Sequence, residues 1–326
     1  MTPIALDAMG GDRAPAEVVA GAVAAAAEGI EVLLVGDEPT LKLELETIGD
    51  ADVPIVHAPE SIDMADDPAR ALREKPLSSI SVAAKLVKDG SAGALVSAGS
   101  TGAAMAAAAI LIGRASGVLR PTIASVIPTP GTPILILDSG ANPEVKAEHL
   151  VQFAVMGTVA AEVFLGLADP RVGLLNIGHE PGKGRAVEKE AYELLTTASV
   201  NFMGNVEGRD LAANIADVIV MDGFAGNVLL KAIEGVAQMV LKMTLEALST
   251  LDSEVIGQVQ KALSPLRHTL DYESTGGAHL LGVNGVVVIA HGASGRVAIA
   301  NALRQARDGV QRNLVAEMTK RLASRV

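Results

Sequence analysis

The stretch Asp217-Val-Ile-Val-Met-Asp-Gly-Phe-Ala-Gly-Asn-Val228 decides the fold of this 326-residue chain. Val218–Met221 is a continuous apolar run, which is typical of a strand buried on both faces of a parallel sheet. From Val228 onward the apolar residues recur with a helical period, so the stretch predicts a strand, a loop and a helix. Ligands of open α/β sheets bind at the carboxyl ends of strands, and we therefore expect a ligand site at this loop.

Two residues of this loop, Gly226 and Asn227, have clear means of holding a ligand. Glycine lets the backbone approach a ligand closely, and the asparagine amide offers two N–H donors. The free N–H groups and the positive dipole end of the following helix suit an anion. An ordinary strand-to-helix turn with Asn227 as the N-cap explains the same residues, so both interpretations stay open.

The composition excludes several classes of protein. Hydrophobic residues make up 49% and aromatic residues only 2%, so the core must consist of small and branched aliphatic side chains. A net charge of −12 argues against nucleic acid as a partner. The absence of cysteine excludes disulfides, zinc–thiolate sites and a cysteine nucleophile. Neither a signal peptide nor a membrane-spanning run is predicted, so we expect a cytoplasmic location.

Strand and helix patterns alternate along the whole chain, which predicts a three-layer α/β/α sandwich with a mostly parallel sheet. Two consecutive strands, Ile123–Ile127 and Ile134–Leu137, are expected to form a hairpin. No linker divides the chain, so we expect a single α/β domain over 1–326 with a helical excursion at about 228–272. A short helix over Asp252–Leu263 is predicted to stop at Pro265.

Three further segments allow two interpretations each. The polar connection Pro59–Pro76 is a solvated surface or a mobile lid over a site. The acid-flanked loop Asp7–Asp12 can contact a phosphate, a hydroxyl or a metal, or it is a glycine turn in which Asp12 caps the next helix. The basic terminal helix after Ser294 is a charged outer face or a docking patch for an acidic partner. Segment 201–210 is predicted to be a loop.

The loop Gly99-Ser-Thr-Gly102 repeats the pattern of small residues between a strand and a helix, with two hydroxyl donors. It is neither a Walker loop nor a dinucleotide fingerprint. Lys183 lies among glycines just before a predicted helix, where it can clamp a phosphate or simply face solvent. His291 follows a predicted strand and can be a proton donor or a hydrogen-bonded structural residue.

Taken together, the loops resemble the acyl-carrier-protein:phosphate acyltransferase family of bacterial phospholipid synthesis, nearly end to end. The residues that carry the resemblance are Asp7–Asp12, Ser97–Ala103, Asp138–Asn142 with Gln152–Gly157, Asn176–Glu180 with Lys183-Gly184, Gly204–Asp210, Asp222–Val228, and Leu281–Val283 with His291-Gly292. Ser100 departs from the asparagine that the family usually has, and Ala147 departs from a common proline.

The resemblance implies transfer of an acyl group from acyl-carrier protein to inorganic phosphate, with no metal or cofactor. It also implies a fold like that of isocitrate dehydrogenases and phosphotransacetylases, a homodimer, and peripheral association with the inner face of the membrane. There the product would pass to a downstream glycerol-phosphate acyltransferase. The substrate-binding residues that we carry over are Gly99, Ser100, Thr101, Gly102, Asp138, Asn142, Glu180, Gly226 and His291.

Phosphate is already a nucleophile near neutral pH, so the chain need not supply one. Our hypothesis assigns phosphate to Lys183 and the amides of Gly99–Gly102, and the thioester or its oxyanion to Asn227. His291 could protonate the leaving thiolate. We expect these glycine-containing turns to converge along one rim of the sheet.

A long acyl chain needs an apolar slot, which the helix over Val228–Leu248 could line, although pairing in a dimer explains the same residues. The tip around Leu248–Pro265 is the predicted membrane contact. The competing functions are a coenzyme A-dependent phosphotransacetylase and a non-catalytic scaffold that binds phosphorylated ligands. A dehydrogenase would need a nucleotide site and a metal carboxylate cluster, and neither spacing is visible.

Overall fold

The computed structural model describes residues 2–49, 51–248, 253–270 and 276–324. Eleven strands are assigned within these ranges. They are β1 Ile4–Asp7, β2 Val32–Gly36, β3 Ile55–His57, β4 Ala94–Ser97, β5 Thr122–Ile127, β6 Ile134–Leu137, β7 Arg171–Leu175, β8 Asn201–Val206, β9 Val218–Val220, β10 Gly277–Leu281 and β11 Val286–Ala290.

Helices connect most of these strands. They are α1 Ala16–Ala27, α2 Glu38–Ile48, α3 Pro68–Glu74, α4 Ser79–Lys88, α5 Thr101–Ala107, α6 Ala147–Leu165, α7 Ala186–Thr196, α8 Gly223–Leu248, α9 Ser253–Leu270, α10 Arg296–Gln311 and α11 Leu314–Ala323. A π-helical turn over Ala108–Ile112 extends α5, and a 3₁₀ turn covers Gly208–Ala213.

The strands form one continuous sheet in the order β3-β2-β1-β4-β11-β10-β5-β6-β9-β7-β8. Neighbouring strands are parallel except at three consecutive steps, β11 to β10, β10 to β5 and β5 to β6. The predicted hairpin of β5 and β6 and the mostly parallel sheet are therefore confirmed. Because three reversals separate them, the strands from β6 to β8 run opposite to those from β3 to β11.

Each face of the sheet is covered by helices, as the alternation of buried side chains dictates. On one face, Leu6, Val96 and Leu137 join a large cluster with α1, α6, α10 and α11. On the other face, Leu95 and Ile289 pack with α4 and α5. Farther along that second face, Ile136 and Ile219 pack under α8. The chain is therefore a three-layer α/β/α sandwich, and its second helical layer is split into two parts.

Several elements differ from the sequence expectations. Segment 201–210 contains β8, which sequence analysis missed because Asn201 and Gly204 interrupt its apolar pattern. The polar connection over 59–76 contains helix α3, whose N-cap Asp67 accepts a hydrogen bond from the Arg70 amide. Helix α9 continues past Pro265 to Leu270, so the predicted stop is wrong. A proline removes one amide donor from a helix but does not always end it.

The predicted single terminal helix is two helices, α10 and α11. Its arginines form ion pairs with neighbouring carboxylates. Arg296 pairs with Glu17 of α1, and Arg321 contacts Glu162 of α6 at 2.8 Å. These pairs favour the charged outer face over the docking patch, because the basic side chains are partly neutralised by the body of the protein.

Helix α6 is the one described helix that is long and apolar enough to cross a membrane by length and composition. About 67% of its apolar window is buried inside the protein. It packs between the sheet and helices α7 and α11. A core helix passes the same composition test, and α6 has the position of one.

Candidate active site

A cleft of about 400 Å³ lies on the face of the sheet between the two parts of the second helical layer. We call it the central cleft. Its walls come from β5, the loop after β6, helix α8, and the ends of β10 and β11. Its lining residues are Thr101, Ile123, Ser125, Val126, Ile127, Pro128, Ser139, Gly140, Asn227, Leu230, Lys231, Ile233, Glu234, Ala237, Gly276, Gly277, Ala278, Ile289, Ala290 and His291.

Helix α8 begins at Gly223, which is earlier than the predicted start at Val228. The carboxylate of buried Asp222 accepts a hydrogen bond of 2.7 Å from the Ala225 amide and so acts as the cap. Asn227 therefore lies inside the helix and is not its N-cap. Asn227 lines the central cleft.

Helix α8 starts in direct contact with the loop that follows β6. The Gly223 amide donates to the Asn142 carbonyl at 2.8 Å. A Cβ atom on Gly226 would lie 1.9 Å from the Asp138 main-chain oxygen. Only glycine permits this approach. The contact holds Asn227 beside Gly140. A Cβ atom added to Gly140 would lie 3.7 Å from the Cβ atom of Asn227.

The loop after β6 is shaped by the fully buried carboxylate of Asp138. It accepts hydrogen bonds from the amides of Ile123, Gly140, Ala141 and Asn142, at 2.6 to 3.2 Å. It also accepts the side-chain amide of Asn142 at 2.8 Å. Both residues were predicted to bind substrate. In the structure Asp138 is buried and Asn142 is partly buried, and their hydrogen bonds fix the loop that presents Ser139 and Gly140 to the cleft.

The opposite wall begins at the Gly99–Gly102 loop. The Ser97 hydroxyl donates to the Asp7 carboxyl at 2.7 Å and accepts the Gly99 amide at 3.0 Å. Burial raises the pKa of the Asp7 carboxyl. Of the loop residues, Thr101 lines the cleft, and Ser100 makes no side-chain cap to α5.

His291 lies at the same end of the cleft as Thr101. Its Nδ1 accepts a hydrogen bond from the Ala293 amide at 3.2 Å. Because Nδ1 is an acceptor, a neutral ring carries its proton on Nε2. The bond to Ala293 gives His291 a structural contact, and its position on the cleft wall keeps the proton-donor interpretation open.

Lys183 lies in the loop between β7 and α7, among the residues that do not line the central cleft. Its Nζ is 4.0 Å from Oε1 of Glu180, and its side chain is about half exposed. The loop is tied to α8 through Arg185, whose guanidinium contacts both Glu188 and Asp222. These two carboxylates raise the pKa of Arg185.

Lys183 and the Gly99–Gly102 loop were assigned to the same phosphate, yet the strands that precede them lie far apart in the sheet of one chain. Six strand spacings separate β4 from β7 in the sheet order, or about 29 Å at the usual spacing. The two strands also run in opposite directions. The expected single rim is thus replaced by two opposite edges, because the three antiparallel steps reverse the sheet. Loops from both edges meet across the face of the sheet in the central cleft.

Sequence analysis missed four polar side chains in the cleft, those of Lys231, Glu234, Ser125 and Ser139. Lys231 follows Asn227 by four residues, so both occupy one face of α8. Its Nζ lies 2.7 Å from Oε2 of Glu234, which also lines the cleft. The hydroxyls of Ser125 and Ser139 lie 2.7 Å apart. The four-residue spacing from Asn227 is the signal that could have found Lys231.

No group of three or more metal-ligating side chains occurs among the described residues. The cleft offers amides, hydroxyls, an imidazole and a lysine that is paired with the Glu234 carboxylate. Its hydrogen-bond donors suit an anion and a polarised carbonyl.

The fold is that of phosphotransacetylases. The EutD phosphotransacetylase from Staphylococcus aureus superposes with a TM-score of 0.63 over 95% of this chain and 94% of that chain, at 16% identity. A phosphotransacetylase from Streptococcus pyogenes gives a TM-score of 0.64 over 94% of each chain, at 19% identity. At such low identity the likeness concerns the fold alone.

Sequence comparison then identifies the family. The model described as "Fatty acid synthesis protein" matches residues 2–317. Phosphate acyltransferase from Desulforamulus reducens is 49% identical over 97% of this chain and 96% of its own length. Phosphate acyltransferase from Thermus thermophilus is 47% identical over 98% of each. The chain belongs to the fatty acid synthesis protein family, together with these phosphate acyltransferases.

Proposed function

We propose that the chain is an enzyme that transfers a fatty acyl group from acyl-carrier protein to inorganic phosphate, giving acyl phosphate for phospholipid synthesis. Membership of a family whose relatives are named phosphate acyltransferase supports this reaction. The observation that carries it in the structure is the central cleft, whose lining includes Asn227, Lys231 and His291.

In this proposal the thioester carbonyl binds beside Asn227. Its oxygen gains negative charge as phosphate attacks, and the Asn227 amide donates a hydrogen bond to it. Attack forms the bond between a phosphate oxygen and the acyl carbon, and collapse breaks the carbon–sulfur bond. The thiolate of the carrier protein leaves and takes a proton, for which His291 is the candidate donor.

The phosphate needs a cation, and the chain offers two lysines. Lys231 lines the cleft itself. Lys183 lies on the loop that Arg185 ties to the start of α8, close to the Asp222 cap. We assign phosphate to Lys231 within one chain, and we retain Lys183 and Glu180 as contacts that a conformational change or a second subunit would bring in. Asp138 and Asn142 act by positioning the loop, and the amides of Gly99–Gly102 contribute from the opposite wall.

Substituting each lysine separates these assignments. Lys231→Ala should raise the phosphate KM at least tenfold with a smaller effect on the KM for the acyl donor. Lys183→Ala should do the same if that loop joins the site. Lys242→Ala, on an exposed part of α8, is the matched control and should leave both constants unchanged. If neither Lys231→Ala nor Lys183→Ala changes the phosphate KM, the assignment of phosphate is refuted.

The reaction itself is tested by mass spectrometry. Purified protein mixed with hexadecanoyl-carrier protein and phosphate should give hexadecanoyl phosphate and free carrier protein. Omitting phosphate should abolish both products. Thioester binding without any acyl phosphate would favour the non-catalytic scaffold.

A coenzyme A-dependent phosphotransacetylase is the second candidate, because the superposed structures carry that name. Parallel assays with hexadecanoyl-coenzyme A and acetyl-coenzyme A distinguish it. We expect the carrier-protein thioester to give the highest kcat/KM. A preference for acetyl-coenzyme A would replace the first candidate by the second.

We further propose that residues 1–326 form a single domain, from which α8 and α9 extend as an excursion at about 228–272. Exposed apolar side chains along α8 outside its cavities suit pairing in a homodimer; they are Phe224, Val228, Met239 and Met243. The tip over 248–265 is the proposed site of peripheral contact with the membrane from the cytoplasm, where a glycerol-phosphate acyltransferase would receive the product. Leu251, which we would replace to test this contact, lies outside the described residues.

A further inference from the structure

A second cavity runs along α8 next to the central cleft. It is a groove of about 480 Å³ between α8 and α9. Alanine, valine, leucine and isoleucine side chains of α8 form most of its wall, and Leu263 of α9 completes it. The one polar residue in the wall is Thr244, whose hydroxyl donates to the Val240 carbonyl at 2.8 Å within the helix. The groove therefore suits a chain without polar atoms.

The groove and the central cleft adjoin each other. Ile233 and Ala237 line both of them. They lie four residues apart on one face of α8, the spacing that places side chains one above the other. A ligand with its polar end beside Asn227 thus has an unbroken apolar path toward Thr244. Along the helix this path is about 25 Å long, at the standard rise per residue.

We propose that this groove binds the fatty acyl chain of the thioester substrate, with the reacting carbonyl beside Asn227 and the tail directed toward Thr244. The inference rests on the proposed acyl-transfer function and names the part of the site that recognises a long chain. Apolar burial is the driving force, because each methylene removed from water contributes about fourfold in affinity. A shorter polar ligand would gain nothing from these walls.

Ala237 is the residue that controls access in this arrangement. It lies about 15 Å along the helix from Asn227, at the standard helical rise. An octanoyl chain ends before this point, whereas a hexadecanoyl chain extends past it. The small side chain of Ala237 keeps the junction open, and a phenylalanine would fill it. The enzyme therefore discriminates between acyl chains of different length at the junction of the two cavities.

The test compares the wild type with Ala237→Phe and with Ala262→Phe. Ala262 is exposed on α9 outside the groove and serves as the matched control. Ala237→Phe should lower kcat/KM for hexadecanoyl-carrier protein by about 100-fold, since three to four methylenes lose their contacts. The ratio of kcat/KM for hexadecanoyl-carrier protein to kcat/KM for octanoyl-carrier protein should fall by about 30-fold or more, because the shorter chain makes fewer contacts past Ala237. Ala262→Phe should leave this ratio unchanged.

Equal effects on both chain lengths, or no effect on either, would overturn the assignment. The same holds if Ala237→Phe changes only the mass of the particle in light scattering. In that case a second copy of the chain fills the groove.

Fatty-acid binding makes the test independent of catalysis. The fluorescent fatty acid cis-parinarate should bind to the wild type and to Ala262→Phe, and binding to Ala237→Phe should be at least tenfold weaker. If no acyl phosphate forms from any donor but cis-parinarate binds the three proteins as expected, the proposed reaction is wrong and the assignment of the groove to an acyl chain is retained. If the wild type does not bind cis-parinarate, the groove assignment fails whatever the assay of acyl transfer gives.

Discussion

Asp138 shows that the position of a carboxylate in the sequence does not determine which groups it binds. Its place after a predicted strand suggested a ligand contact, and the resemblance supported that role. In the structure its carboxylate binds four main-chain amides and the side chain of Asn142. A local spacing cannot reveal whether a carboxylate faces a ligand or its own loop, because both arrangements satisfy a charged group. We therefore propose that Asp138 acts on the site through the loop that it holds.

His279 gives a prediction at the same scale. Its ring stacks on Phe164 with centroids 3.9 Å apart, and its Nδ1 has no hydrogen-bond partner. Burial lowers the pKa of His279 to about 3. Between pH 6.5 and 3 the unfolded chain therefore binds a proton that the folded chain does not. The free energy of unfolding should fall as the pH drops through this window.

His279→Phe removes the titrating imidazole and keeps an aromatic ring against Phe164. Urea unfolding at pH 7 and pH 5 should show a smaller loss of stability for the variant than for the wild type. His57→Phe, at an exposed strand end, is the control and should follow the wild-type profile. If His279→Phe loses as much stability as the wild type on acidification, the histidine is not the buried base that the structure indicates.

At the scale of elements, the strand-and-helix order was predictable and the exact start of α8 was not. The apolar run Val218–Met221 and the helical period after Val228 identify both elements. Glycines usually weaken a helix, so Gly223 and Gly226 were interpreted as a loop. The structure places them in the first turn, because the loop after β6 leaves no space for a side chain there. Tertiary contact overrides local propensity at this point.

Two glycines of α8 give a matched pair of substitutions. A Cβ atom on Gly226 would lie 1.9 Å from the Asp138 oxygen, whereas one on Gly235 would meet nothing within 4 Å. Gly226→Ala should displace the start of α8 and destabilise the protein by ~2 kcal/mol or more, and acyl phosphate formation should be lost. Gly235→Ala should stabilise it by about 0.5–1 kcal/mol with activity retained.

Chemical denaturation and the phosphate-dependent assay measure both effects. A fully active and stable Gly226→Ala variant would contradict the close approach of α8 to the loop. Such a result would also remove the reason for placing Asn227 beside Gly140.

At the scale of the whole molecule, the three-layer class followed from alternation of strands and helices, but the reversal of the sheet did not. The hairpin of β5 and β6 was predicted as a local feature. The reversal of the sheet also requires β10, which sequence analysis did not predict because glycines begin and flank this strand. Together these strands create two groups of opposite direction, so the site lies across a face of the sheet and draws loops from two edges. Long-range pairing of this kind leaves no local pattern in a sequence.

The exposed apolar stripe on α8 predicts a second copy of the chain as its partner. Met239 and Met243 are 53% and 61% exposed, more than a monomer needs to leave in water. Light scattering should give twice the 33.3 kDa mass of the chain. Replacing both methionines by glutamate should shift the particle toward a monomer, whereas Lys42→Glu and Lys88→Glu together should not. A monomeric wild type would contradict the proposal.

The central claim is that phosphate attacks a thioester held beside Asn227, and transfer of oxygen-18 tests it most directly. With phosphate labelled in all its oxygens, mass spectrometry should find acyl phosphate from the wild type in which every phosphate oxygen, including the bridging one, is labelled and the acyl carbonyl oxygen is not. Asn227→Ala should form it at least ~100-fold more slowly, the usual cost of one oxyanion donor. Asn284→Ala, on an exposed turn, should match the wild type. Unlabelled product, or an Asn227→Ala variant as fast as the wild type, would contradict the account.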